Sequence, residues 1–169
     1  MIPEHSESCL FCAIARGEQP SVLVHEDALC RVFMDLYQMS PGHLLIIPRQ
    51  HVVHFHELPD ATASHLARVT RRLSDALMRS ELEPAGYNLL NNNGRAANQH
   101  VGHLHIHIIP RYRRDSLRFL ANILLHLPGA FLFSASRATL QAQADHIRRQ
   151  LLADDRHGTT QTDPAQRTS

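Results

Sequence analysis

The stretch Gln99-His100-Val101-Gly102-His103-Leu104-His105-Ile106-His107-Ile108-Ile109-Pro110-Arg111 alternates imidazole and aliphatic side chains without a break from His103 to Ile108. Successive strand residues point to opposite faces, so the pattern predicts a strand over 103–109, closed by Pro110. Three histidines share one face of it and Leu104, Ile106 and Ile108 the other. Same-face positions lie about 6.5–7 Å apart along a strand. Imidazoles in such a row suit two chemistries. A His-x-His pair with one further ligand can hold a catalytic Zn²⁺ with an open position. Alternatively, one imidazole attacks an electrophile, most naturally phosphorus, while its neighbours orient it and donate to phosphate oxygens. The preceding loop, Asn91-Asn92-Asn93-Gly94 through Asn98-Gln99, is rich in amide donors, which favours oxygen-rich phosphate over a compact metal cage.

Outward from this strand, the chain reads as a meander with one crossing helix. Val22–Glu26 and Leu29–Met34 are short β-favouring runs that suit a hairpin, and Gly86–Leu90 is a further strand. His43–Pro48, after the Pro41-Gly42 turn, is a nearly continuous apolar run, as expected of a strand buried on both faces. Pro59-Asp60 offers a helix start. From Ala61 to Ser80, Leu66, Val69, Leu73, Ala76 and Leu77 recur at helical spacing between arginines, which predicts an amphipathic helix laid on a sheet. Leu140, Ala144, Ile147 and Leu151 repeat at the same spacing. The order argues an α+β fold with a mainly antiparallel sheet of about five strands, a crossing helix and a C-terminal helical extension.

A chain of 169 residues is one domain's worth, with about two-thirds of its unfolded surface buried. Lys+Arg 17 against Asp+Glu 16 gives a net charge of +1, so no nucleic-acid partner is implied. All the basic residues are arginine, which excludes Schiff-base lysine chemistry and a P-loop lysine. Nine of the 14 histidines fall between His43 and His107, so the excess is concentrated. The first residues carry neither a basic nor an apolar leader segment, and Phe119–Phe133 is too short and interrupted to span a bilayer; no membrane partner and a cytoplasmic location are expected. Ala153 to Ser169 contains no Val, Ile, Leu or Phe and is expected to be a disordered tail, leaving residues 1–152 as a single domain.

The triad stretch resembles the signature of the histidine triad (HIT) nucleotide-binding and hydrolase family, three histidines alternating with apolar residues and a Gln shortly before them. Cys9-Leu-Phe-Cys12 through Pro20, Phe33-Met-Asp35, Pro41-Gly42-His43 through His51 and Asn91–Gly94 also resemble family blocks, in family order, over about residues 9–112. The resemblance implies a hydrolase or transferase that cleaves at the α-phosphate of nucleoside phosphoramidates or dinucleoside polyphosphates through a covalent nucleotidyl-histidine, releasing a mononucleotide. A catalytically weak purine-nucleotide-binding regulatory module is the alternative. His105 matches the nucleophile, His107 the triad member bonded to phosphate, and His43 a further site histidine. Asn92 and Gln99 match the residues that hold phosphate oxygens, and Asp35 the carboxylate that accepts from the ribose. Phe11, Ile14, Phe33 and Leu36 match the apolar slot around the base. A homodimer joined edge to edge is implied by the resemblance as well.

Cys9-x-x-Cys12 suits either zinc or redox work. In the branch of the family that carries this pair, a structural Zn²⁺ takes two cysteines and two histidines, which map here onto Cys9, Cys12, His51 and His103. Such a closed set stabilises the fold and has no open position for substrate. Most relatives have glycine at the place of Asn98 and a small residue at the place of His100, which bears on the approach of the loop to phosphate and on the leaving group. Cys30 reads as a buried small hydrophobe. His25 and His65 read as isolated and solvated, and His54-x-His56 as a pair without a third ligand.

Overall fold

The computed structural model describes residues 8–117, Phe119 and residues 135–158, the last four as backbone only. Helix α1 (Leu10–Arg16) precedes the hairpin β1 (Leu23–Glu26) and β2 (Cys30–Met34), and β3 (Leu44–Pro48) follows. Helix α2 (Asp60–Met78) crosses to β4 (Gly86–Leu90); β5 (Ile106–Arg111) and α3 (Arg137–Gly158) complete the described elements. The sheet has five strands in the order β1-β2-β3-β5-β4, with every pair antiparallel. This is the α+β architecture expected, with β5 inserted between β3 and the edge strand β4.

Side-chain alternation divides the sheet between two cores. On one face Val32, Leu44, Ile46 and Ile108 pack beneath Leu66, Leu73 and Leu77 of α2 and Leu140, Ala144 and Ile147 of α3. On the other, Phe33, Leu45 and Ile47 meet Phe11, Ile14 and Ala15 of α1. All five residues of β3 are therefore buried, as its unbroken apolar run predicted. Arg31 and Arg49 fasten α1 to the sheet by donating to the carbonyls of Ile14 at 2.8 Å and Ala15 at 2.6 Å in the last turn of the helix.

The triad strand is shorter at its start than the alternation predicted. Pairing of β3 with β5 ends at Ile46 opposite Ile106. Continuing that register would place Leu104 opposite Pro48, which has no N–H to offer. The Pro48 carbonyl instead accepts from the His103 ring at 3.0 Å, and the Leu104 N–H donates to Val52 at 2.7 Å. The faces are nonetheless those expected: Leu104 and Ile108 are in the helix-side core, and His103 and His105 lie against Phe11 on the other side. At its far end β5 passes through Pro110 to Arg111, because β3 begins only opposite Ile108 and Pro110 pairs with β4 alone.

Helix α3 runs to Gly158, so residues 153–158 of the expected tail are helical, and residues 159–169 lie outside the described residues. Most of the apolar run 119–133 also lies outside them. No helix among the described residues is long and apolar enough to cross a membrane.

Candidate active site

The α1 face of the sheet gathers the titratable residues. His43 stands just before β3 and His107 lies opposite Leu45, so both rings project to the face that carries Phe33 and Leu45. His43 is 1% exposed, and its Nε2 is 2.9 Å from Nδ1 of His107. The Met39 N–H donates to His43 Nδ1 at 3.2 Å, which makes that nitrogen the acceptor. The His43 proton therefore sits on Nε2 and is donated to His107 Nδ1, leaving the His107 proton on Nε2. Asp35 lies beside this pair, its Oδ2 3.5 Å from His43 Nδ1 while its Oδ1 accepts from the Tyr37 N–H at 2.9 Å.

His105 is ordered differently. Its Nδ1–H donates to the carbonyl of His103 at 2.7 Å, so Nε2 holds the lone pair. Its ring meets that of His107 edge-on at 4.9 Å and that of Phe11 at 5.3 Å. Burial lowers its pKa from the ordinary 6.5, with His100 acting the same way and the His103 carbonyl and Asp35 opposing, so the ring is neutral near pH 7.

The amide loop is organised from within. Gln99 is buried; its Oε1 accepts from the Gly94 N–H at 2.6 Å and its Nε2 donates to Val53 at 2.7 Å, so both ends of the side chain brace the loop. Asn92 is half-buried and its Nδ2 reaches the Asn98 carbonyl at 3.4 Å. Asn98 has φ 61, the left-handed conformation, which glycine adopts without strain and which asparagine tolerates better than most residues. Asparagine at this position thus fits the turn. Phe11, Ile14 and Phe33 pack in one buried cluster, whereas Leu36 is 48% exposed at the surface.

Cys9, Cys12, His51 and His103 converge at the start of the triad segment, with ligand atoms all within 4.8 Å of one another. Cys12 Sγ is 3.2 Å from His51 Nδ1 and 3.5 Å from His103 Nδ1, and Cys9 Sγ is 3.6 Å from the latter. Zn–S near 2.3 Å and Zn–N near 2.0–2.1 Å in a tetrahedron imply S···N separations of about 3.6 Å, so the residues fit a zinc ion. His103 donates its one ring N–H, on Nε2, to the Pro48 carbonyl, which turns the lone pair of Nδ1 toward the thiols.

The HIT domain family matches residues 16–114 of the sequence. The chain belongs to the HIT domain family. "Protein hit" of Bacillus subtilis is 43% identical over 107 residues, which are 63% of this chain and 73% of that protein. Adenosine 5'-monophosphoramidase hnt1 of Schizosaccharomyces pombe is 40% identical over 104 residues, 62% of this chain and 74% of its own. Among solved structures, a Zn-bound histidine triad family protein from Mycobacterium smegmatis superposes with a TM-score of 0.74 at 29% identity, covering 90% of this chain and 99% of that one.

In this HIT domain several site features had no clear sequence signal. Asn91, one residue of an Asn run, donates from Nδ2 to the His105 carbonyl at 2.8 Å and so holds the backbone of His105. Glu57 joins His54 and His56 as a third potential ligand, and the two rings are stacked at 5.4 Å. His25 and His65 are not isolated: both reach Asp27. Each of these contacts crosses elements or closes a turn, where no periodicity advertises it.

Proposed function

We propose that this HIT protein hydrolyses nucleoside phosphoramidates, or related compounds with a leaving group on the α-phosphorus, through a nucleotidyl-His105 intermediate. The observation that carries the reading is the Nδ1–H of His105 bonded to the His103 carbonyl, which presents the Nε2 lone pair as nucleophile. The relative named adenosine 5'-monophosphoramidase supports the substrate class, and an Arabidopsis thaliana relative named adenylylsulfatase HINT3, 40% identical over 109 residues, supports attack at an adenylyl phosphorus.

In this reading His105 Nε2 attacks the α-phosphorus and a P–Nε2 bond forms as the bond to the leaving amine breaks. The amine departs with a proton from the site, and water then cleaves the P–N adduct, releasing the mononucleotide and restoring the imidazole. His107, with its proton on Nε2, donates to a non-bridging oxygen, Asn92 donates to another phosphate oxygen, and Asp35 accepts from the ribose. Gln99 supports the phosphate by holding the loop. Phe11, Ile14, Phe33 and Leu36 border the base. A Zn²⁺ ion held by Cys9, Cys12, His51 and His103 would lock α1 to the start of the triad segment, a structural contribution suited to the cytoplasm, where thiols stay reduced.

The test is incubation with adenosine 5'-phosphoramidate and a diadenosine polyphosphate, a quench in base and peptide mass mapping. An adenylyl group on His105 is expected. Turnover without it overturns the covalent route; AMP binding without turnover selects a nucleotide-binding module.

A homodimer forms part of the same proposal. Edge strand β4 exposes Tyr87, Leu89 and Leu90 next to a cavity of about 420 Å³ that Phe55, Thr70 and Arg71 help to line. Pairing of two copies along β4 would cover this edge. A monomer mass by sedimentation equilibrium would overturn it.

A further inference from the structure

We infer that His25, Asp27, Cys30 and His65 form a second cation site, sharing no residue with the first and suited to Zn²⁺ or another borderline divalent ion. The four side chains come from separate places: His25 from β1, Asp27 from the hairpin turn, Cys30 from the start of β2 and His65 from the first half of α2. They converge on one atom. Asp27 Oδ2 lies 2.8 Å from His65 Nε2, 3.2 Å from His25 Nε2 and 3.5 Å from Cys30 Sγ. Cys30 Sγ is 4.0 Å from His65 Nε2, and the ligand atoms of His25, Asp27 and Cys30 all lie within 4.8 Å of one another.

The arrangement is built in advance and its hydrogen bonds are crowded. Asp27 Oδ1 is fully used as a turn cap, accepting from the backbone N–H of Leu29 at 2.8 Å and Cys30 at 2.9 Å. Oδ2 faces three further groups, so five donors address a carboxylate with about four lone-pair sites. One cation in place of the three protons relieves that excess. A tetrahedral Zn²⁺ with oxygen, nitrogen and sulfur ligands separates its ligand atoms by about 3.3–3.6 Å, so the three distances from Asp27 Oδ2 and the Cys30–His65 distance need to change by at most about half an ångström.

The charge also balances. A carboxylate, a thiolate and two neutral imidazoles carry two negative charges against the ion's two positive ones, which suits a partly buried position. Loading transfers the Cys30 thiol proton to water. Cys30 is fully buried, whereas the side chains of His25, Asp27 and His65 are 27%, 27% and 23% exposed, which leaves the ion a way in. Once bound, it would join the β1–β2 hairpin to α2 by coordination, at the sheet edge farthest from β4.

The test uses the full chain dialysed against Zn²⁺ and, separately, titrated with Co²⁺. Wild type is expected to retain one more Zn²⁺ per chain than the His25→Gln/His65→Gln variant, whatever the occupancy at Cys9 and Cys12. Both histidines are partly exposed, so glutamine leaves the core filled, and circular dichroism in chelator checks the fold. In the Co²⁺ titration the site adds thiolate-to-cobalt absorption from a single sulfur, which Cys30→Ser removes while leaving any contribution from Cys9 and Cys12. Equal zinc content in wild type and the folded double variant overturns the proposal, as does a cobalt spectrum unchanged by Cys30→Ser.

Discussion

His43 Nε2 is 2.9 Å from His107 Nδ1, and the Met39 amide at the far nitrogen of His43 sets the direction of the proton between them. A backbone N–H thus decides, two rings away, that His107 presents an N–H to the site. His105, two residues earlier, is ordered oppositely by its own backbone, so a donor and a lone pair stand side by side.

Replacing His43 by alanine removes the donor to His107 Nδ1 and leaves that ring without a fixed tautomer. Loss of a partner that orients a functional imidazole typically costs about 10–100-fold. The expected result is a kcat for adenosine 5'-phosphoramidate reduced by that factor, with a smaller change in KM. An unchanged kcat would show that His107 is ordered otherwise.

Asn91→Ala removes the 2.8 Å bond to the His105 carbonyl. A net loss of about 1 kcal/mol in stability is expected from urea unfolding, with a several-fold drop in kcat. Gln141→Ala, which removes an exposed hydrogen bond to Asp145 on α3 away from the histidines, provides the comparison and is expected to leave kcat at the wild-type value.

Removal of metal from the Cys9, Cys12, His51 and His103 cluster is expected to lower Tm, because the site joins α1 to the triad segment and binding energy at a structural zinc is folding energy. Scanning calorimetry with and without chelator measures the loss. Cys9→Ser should already show it without chelator, together with reduced zinc content. If Tm is unchanged while turnover stops, the ion is catalytic instead.

Glu57 gives a pH dependence. The His54 and Val53 backbone N–H groups, each at 2.9 Å, and the His54 ring at 3.2 Å hold its carboxyl down to about 2, against the opposing effect of burial. The folded pKa lies below the ordinary 4.5, so this stabilisation is complete above that value and fades as pH falls from 4.5 toward 2. Glu57→Gln is expected to melt below wild type at pH 7, with the gap closing on acidification to pH 3. A constant gap would mean that the carboxylate charge is not involved. Val53 and Phe55 of this turn contact Gln99 and Asn93, so the acid-sensitive turn also supports the loop of amide side chains.

What was legible in the chain was local. His103-x-His105-x-His107 alternates at the period of a strand, Cys9-x-x-Cys12 brings two thiols together on one turn, and the apolar run Leu44–Ile47 marks a buried strand. Boundaries that depend on a neighbour were less so. β5 begins at Ile106 because of Pro48 on another strand, and α3 extends past Ala153 although composition there suggested a tail.

The sequence by itself determined the α+β fold, the family and which histidines share the α1 face, because alternation and short motifs need no distant partner. Only the tertiary structure decided which nitrogen of each ring carries its proton, that Gln99 braces its own loop, and that His25 and His65 meet at Asp27. A neutral imidazole is a donor on one side and an acceptor on the other, and only the group brought to either nitrogen by the fold determines which is which.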